Sequence, residues 1–174
     1  MTLDSRRTNN VKEMMRKRGF PSLKMLSNGD MEAANPLGES MYVKFFQGKL
    51  DLTSVKDYLG SNFLILNNGD VVTRKDSKLV VQVIIICESF QKSHVNEFKA
   101  ISKTIQLIRK DFFNIDITRK APLHVKVSAD LILKKNNLPI LKTDDAMCTY
   151  HNFSTGDLVE ITRSNGMICY RLVR

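Results

Sequence analysis

The sequence predicts two units: a three-layer-like α/β domain over residues 1–105 and a small α+β domain over residues 106–174. Three observations carry this. The apolar run Leu79–Cys87, broken only by Gln82, reads as a strand buried on both faces, which needs covering layers above and below. Amphipathic stretches around Val11 and Phe98 have helical spacing and supply such layers. Close-set turn signals near the C-terminus, Gly156 and Asn165-Gly166, separate short apolar strands in the manner of a compact module ending in a hairpin.

Residues 9–18 place Val11, Met14 and Met15 on one helical side, with Asn9 or Asn10 as N-cap and Gly19 as the stop. Arg16, Lys17 and Arg18 crowd the last turn, where cations complement the helix dipole. Residues 21–40 contain Pro21, Gly29, Pro36 and Gly38 with little periodicity and read as a loop. Residues 41–46 read as a strand, and Thr53 as the cap of a short helix through Leu59. Apolar runs at 63–66 and 71–73 flank Asn67-Asn68-Gly69-Asp70, a hairpin signal because Asn and Gly tolerate positive φ. Beyond the apolar strand, residues 88–93 form a loop into a helix with Val95, Phe98, Ile101 and Ile105 on one side. Residues 106–117 continue as helix and then extend.

In the second unit, residues 123–127 form a short strand after Pro122, and Ser128 caps a helix ending near Lys135. Leu138-Pro139 starts a loop, and Asp144 or Asp145 caps a short helix to about His151. Thr155-Gly156-Asp157 turns into a strand at 158–163, and Ser164-Asn165-Gly166 turns into its returning partner at 167–173. No internal repeat interrupts this order.

Composition narrows the function classes. The apolar runs are too short to span a bilayer, and residues 1–10 lack a signal peptide's apolar stretch, so a soluble intracellular protein with no membrane partner is expected. Three cysteines, Cys87, Cys148 and Cys169, form no CxxC pair, and with three scattered histidines they offer no zinc-ligand spacing. A reduced compartment, buried thiols, no metal and no cofactor are expected. The net charge of +9 is spread, with 16 basic and 11 acidic residues up to residue 105 and 11 and 7 after it. Such an excess suits a protein beside nucleic acid or on an acidic partner. It also suits an ordinary solvated surface.

A specific pattern lies in the last fifty-odd residues. His124-Val125-Lys126-Val127-Ser128 gives a His, alternating apolar residues and a helix cap. Leu138, Pro139, Leu141 and Asp145 follow, then Tyr150, Gly156-Asp157-Leu158-Val159-Glu160-Ile161 and Arg163, and finally Tyr170-Arg171-Leu172-Val173. This series resembles the assembly domain of the fifth common subunit of nuclear RNA polymerases and of its archaeal counterpart. Spacing holds without gaps from Leu138 through Arg163. Ala146, Thr149 and Asn152 stand where that family has Pro, Arg and Gly. The first unit resembles the eukaryotic jaw domain in Val11 to Phe20, Phe45-Phe46 and Val83 to Phe98, whereas residues 60–78 have no counterpart there.

The resemblance implies a non-catalytic structural subunit of a multisubunit DNA-directed RNA polymerase. Its assembly domain would dock on the largest subunit, beside other polymerase subunits, through His124, Pro139, Asp145, Tyr150, Gly156, Asp157, Arg163, Tyr170 and Arg171. Its jaw would approach downstream duplex DNA where the family has a Thr-Pro-Ser-Ala loop, here Gln91, Lys92, Ser93 and His94. Helix-start amides and Lys92 suit phosphate without reading bases, so DNA contact would be sequence-neutral. No small-molecule substrate is implied. The expected location is the nucleus, or a viral factory or virion, since abundant Asn, Lys and Ile suit an AT-rich genome such as that of a large DNA virus.

Each of these residues has a plainer reading. His124 has no nucleophile or carboxylate beside it at triad spacing and reads as structural. Tyr170 and Arg171 must point to opposite sheet faces; Arg171 could reach a partner or pair with Asp157 or Glu160. Residues 91–94 could be an ordinary capped helix start, and Gly156 a plain turn residue. Glu97-Phe98-Lys99 has the E-x-K form of metal-dependent nucleases, but it falls on a helix, so no catalytic residue is expected. The alternative function is a free-standing basic nucleic-acid-binding protein.

Overall fold

A computed structural model describes residues 3–128 and 137–174. Its first unit contains α1 (Leu3–Lys17), β1 (Ser22–Met25), β2 (Met31–Ala34), β3 (Ser40–Phe45), α2 (Leu52–Asn62), β4 (Phe63–Ile65), β5 (Val71–Thr73), β6 (Leu79–Cys87), α3 (Lys92–Ile101) and β7 (Ile105–Arg109). The apolar run is β6, the strand about which the sheet is organised. It pairs parallel with β3 on one side. On the other it pairs antiparallel with β5 at its start and parallel with β7 from Val83 onward.

Alternation along β6 sorts its side chains into two buried sets. Val83, Ile85 and Cys87 pack with Val55 and Leu59 of α2 and Phe98 of α3. Gln82, Ile84 and Ile86 face the other way. There Arg18, just past α1, donates through Nη1 to Gln82 and to Gln106 Oε1 of β7, the latter at 3.0 Å. Val11, Met14 and Met15 of α1 are fully buried. The sheet is therefore covered on both faces, which is why β6 needs no polar alternation. Each buried Ile or Val side chain contributes roughly 1.5–3 kcal/mol of transfer free energy.

Gly19 ends α1 as expected, at φ 92°. Its N–H donates to Arg16 O, and that of Phe20 to Met15 O, which closes the helix in a Schellman arrangement. Four expectations are corrected in this unit. The helix α1 begins at Leu3, well before Asn9. Asp51, not Thr53, caps α2, accepting from Ser54 N–H at 2.9 Å. The expected loop 21–40 is the hairpin β1–β2 joined to β3, with Gly29 and Gly38 at the turns. Its signal is weak because only β2 alternates, burying Met31 and Ala33. Finally, the helix expected to run on through residues 106–117 is β7 followed by a 3-10 turn, Lys110–Asn114. Parallel pairing of Ile105 with Val83 and of Ile108 with Ile86 overrides the helical spacing.

Because β7 belongs to this sheet, the chain divides between Ile115 and Asp116 and not after residue 105. The second unit contains a 3-10 turn (Ile117–Arg119), β8 (Leu123–Val127), β9 (Ile140–Leu141), α4 (Ala146–His151), β10 (Leu158–Thr162) and β11 (Ile168–Val173). Its mixed sheet has the order β8-β10-β11-β9, with only β9 parallel to its neighbour. Residues 138–141, expected as loop, thus end in an edge strand. Asp145 caps α4 through Met147 N–H at 2.8 Å. Leu141, Cys148, Val159, Ile161 and Val173 form the core under α4. The helix expected after Ser128 lies outside the described residues. Both units mix helices with a mixed sheet, an α+β arrangement in two domains. Among the described residues no helix is long and apolar enough to cross a membrane.

Candidate nucleic-acid and subunit interfaces

In the first unit the parallel strands β3, β6 and β7 have their C-terminal ends at the same end of the sheet, and the chain turns there into basic loops. Lys49 bridges Ser89 in parallel, Glu88 N–H donates to Gly48 O at 2.9 Å, and Leu50 N–H to Ser89 O at 2.9 Å. These bonds fix the loop that precedes α3. Gln91 is the N-cap: its N–H donates to His94 Nδ1 at 3.4 Å, and Ser93 Oγ donates to its Oε1 at 3.5 Å. His94 and Gln91 thus close the helix start on themselves. Lys92, in contrast, is exposed and has room to meet a phosphate.

Arg109 stands opposite Cys87 at the end of β7, with Nε 3.6 Å from Asp111. Lys110 is 3.4 Å from Asp4, whose carboxyl it holds below the usual range, with help from Arg7. Lys49 and Arg109 were missed in the sequence. Their signal was a basic residue soon after each apolar run, but only parallel pairing brings those run ends together. Glu97 of the E-x-K segment pairs with Lys56 of α2. No group of three or more His, Cys, Asp or Glu among the described residues could hold a metal ion.

The second unit has a groove of about 730 Å³ on the α4 side of its sheet. Four of the expected interface residues line it: His124, Asp145, Arg163 and Arg171. His124 is 7% exposed, and its Nδ1 lies 2.8 Å from Pro122 O. That carbonyl can only accept, so Nδ1 carries the hydrogen and Nε2 is left as acceptor in the neutral ring. Arg163 follows β10 and is exposed. Arg171 donates from Nη1 to Ile140 O at 3.1 Å, and so pairs with neither Asp157 nor Glu160 in these contacts. Arg119 and Lys120 add two cations that the sequence did not single out.

The remaining candidates are elsewhere. Tyr170 is on the opposite sheet face, donating to Glu160 Oε2 at 2.9 Å, a bond that raises its phenol pKa. Asp157 pairs with Lys126 at 2.8 Å and accepts from Ser154 N–H at 2.9 Å. Gly156 adopts φ 95° and donates to Val173 O at 3.0 Å. Tyr150 is buried. The carbonyl of Pro139 accepts from Leu172 N–H at 3.1 Å. These five serve the domain's own fold in the contacts they make here.

Comparison with known proteins decides the family. Residues 124–173 match the family described as RNA polymerase Rpb5, C-terminal domain. Over 166 residues the chain is 43% identical to an uncharacterized protein, 092R, of Invertebrate iridescent virus 3, covering 94% of this chain and 97% of that one. The second unit is a domain of the Rpb5 family of RNA polymerase subunits. The matched span begins at His124 and ends at Val173, so it contains every interface candidate of the second unit and all of the groove's described lining except residues 119–122. A member of this family works among other polymerase subunits in transcription, and the iridescent-virus relative ties this form of it to viruses.

Proposed function

We propose that this chain is a non-catalytic, architectural polymerase subunit whose second unit docks on the largest subunit and whose first unit stands beside downstream DNA. The observation that carries the reading is the coincidence of the family span with a separately cored unit bearing a cationic groove. Nucleotidyl transfer would belong to the large subunits. The first unit's share is electrostatic: Lys49, Lys92 and Arg109, beyond the C-terminal ends of the parallel strands, suit phosphates of any sequence. The site of action would be the nucleus, or a viral factory or virion.

Capture of the tagged full-length protein from its native source tests this. Recovery of the large polymerase subunits at near-stoichiometric amounts is the expected result. A protein recovered free, yet bound to nucleic acid, would instead support a free-standing binding function.

A further inference from the structure

The groove of the second unit has a chemistry that specifies its occupant, given the reading of this unit as the docking domain. Arg119, Lys120, Arg163 and Arg171 line it. Asp145 is the one carboxylate among its described lining residues, and one of its oxygens is committed to capping α4. Arg171 spends one donor on Ile140 O, and a guanidinium has five. Arg119 lies 3.4 Å from Asp116 but is 84% exposed, so that pair holds it weakly. The floor is apolar, formed by Leu141, Met147 and Ile161. Cations around an apolar floor match a segment that presents carboxylates beside an aliphatic side chain.

We propose that this groove receives an extended acidic segment of another polymerase subunit, with a carboxylate held by Arg163 and Arg171 and an aliphatic side chain on the Leu141–Ile161 floor. Nucleic acid fits less well. No Phe, Tyr or Trp is among the described lining residues, and the His124 ring, only 7% exposed, offers a base little face to stack on. A volume of about 730 Å³ accommodates a few side chains, not a duplex. In its neutral form the His124 ring, with Nδ1 turned to Pro122 O, would add Nε2 as an acceptor for a backbone N–H of the bound segment.

Ser164 lines the same groove on the exposed β10–β11 turn, which makes it a place for a photo-crosslinker. Full-length protein carrying p-benzoylphenylalanine in place of Ser164 would be irradiated within the native polymerase, and the crosslinked peptide identified by mass spectrometry. The expected product is a peptide of another subunit with carboxylates and an aliphatic residue near the crosslink. In parallel, Arg163→Glu should weaken retention of that subunit by about tenfold, more at low than at high salt, while Arg163→Lys retains most of it. An unchanged urea midpoint for Arg163→Glu would show that folding is not the cause. Crosslinking to nucleic acid, or to a segment without carboxylates, overturns the proposal. So does an assembled polymerase that gives no crosslink, or full retention by Arg163→Glu. If the unmodified protein recovers no polymerase subunits at all, the docking reading falls first and this inference with it.

Discussion

Asn152 ends α4 at φ 58°, with its N–H on Cys148 O. The resemblance read from the sequence puts Gly at this position, and the left-handed backbone supplies a reason: it strains every side chain, Asn least. Asn152→Gly should therefore keep or raise stability by up to about 1 kcal/mol, whereas Asn152→Val should lose about 1–2 kcal/mol in urea unfolding. The cysteines obey burial in the same way. Removal from water pushes the Cys87 and Cys148 thiols up to about 11, whereas Cys169 is half-buried. A maleimide at pH 8 should thus label Cys169 in the folded protein and the other two only on unfolding. A thiol pKa raised by folding stabilises fully below the unfolded value and is lost as pH rises through the folded one. Stability should fall between about pH 9 and about 11, and Cys87→Ala should flatten that decline in a series of urea midpoints.

Strand β6 holds the first unit's core, and helix α3 carries the role proposed for it at DNA. Ile85 is fully buried among α2, α3 and the sheet, so Ile85→Ala leaves a cavity that neighbours on three elements cannot close. A loss of about 2–5 kcal/mol is expected, read as a lowered urea midpoint. At the start of α3, His94 closes the helix turn and Lys92 extends from it, so the two divide what the sequence grouped as one site. Lys92→Glu should make assembled polymerase dissociate sooner from a downstream duplex at moderate salt, equally on all sequences. One lost phosphate contact lowers the salt slope by about one, and adding Lys49→Glu should lower it again. Salt curves identical to wild type would leave α3 with a helix cap and no role at DNA. Helix α3 itself was legible from Val95 and Phe98. Strand β7 was not, because Ile105 fits a helical face and a buried parallel strand equally well.

The division at Ile115 sets where the molecule can be cut. A fragment of residues 116–174 should capture the large polymerase subunits, and one of residues 1–115 should not. Capture by the second and not the first would reverse the assigned roles. A fragment starting at 106 would carry off β7 and leave Val83 to Cys87 without their parallel neighbour. By itself the sequence determined the doubly covered strand, the hairpin at Asn67–Asp70, the turns at Gly156 and Asn165-Gly166, and the family, because local spacing and backbone preference carry those. It also named His124, Asp145, Arg163 and Arg171 one by one. That these four share a groove with Arg119 and Lys120, while Tyr170 faces away, was decided only by tertiary structure. So was the placing of Lys49, Lys92 and Arg109 beyond the C-terminal ends of the parallel strands. Pairing register determines which distant side chains meet, and register is a property of whole strands in competition, which no short stretch of chain can state alone.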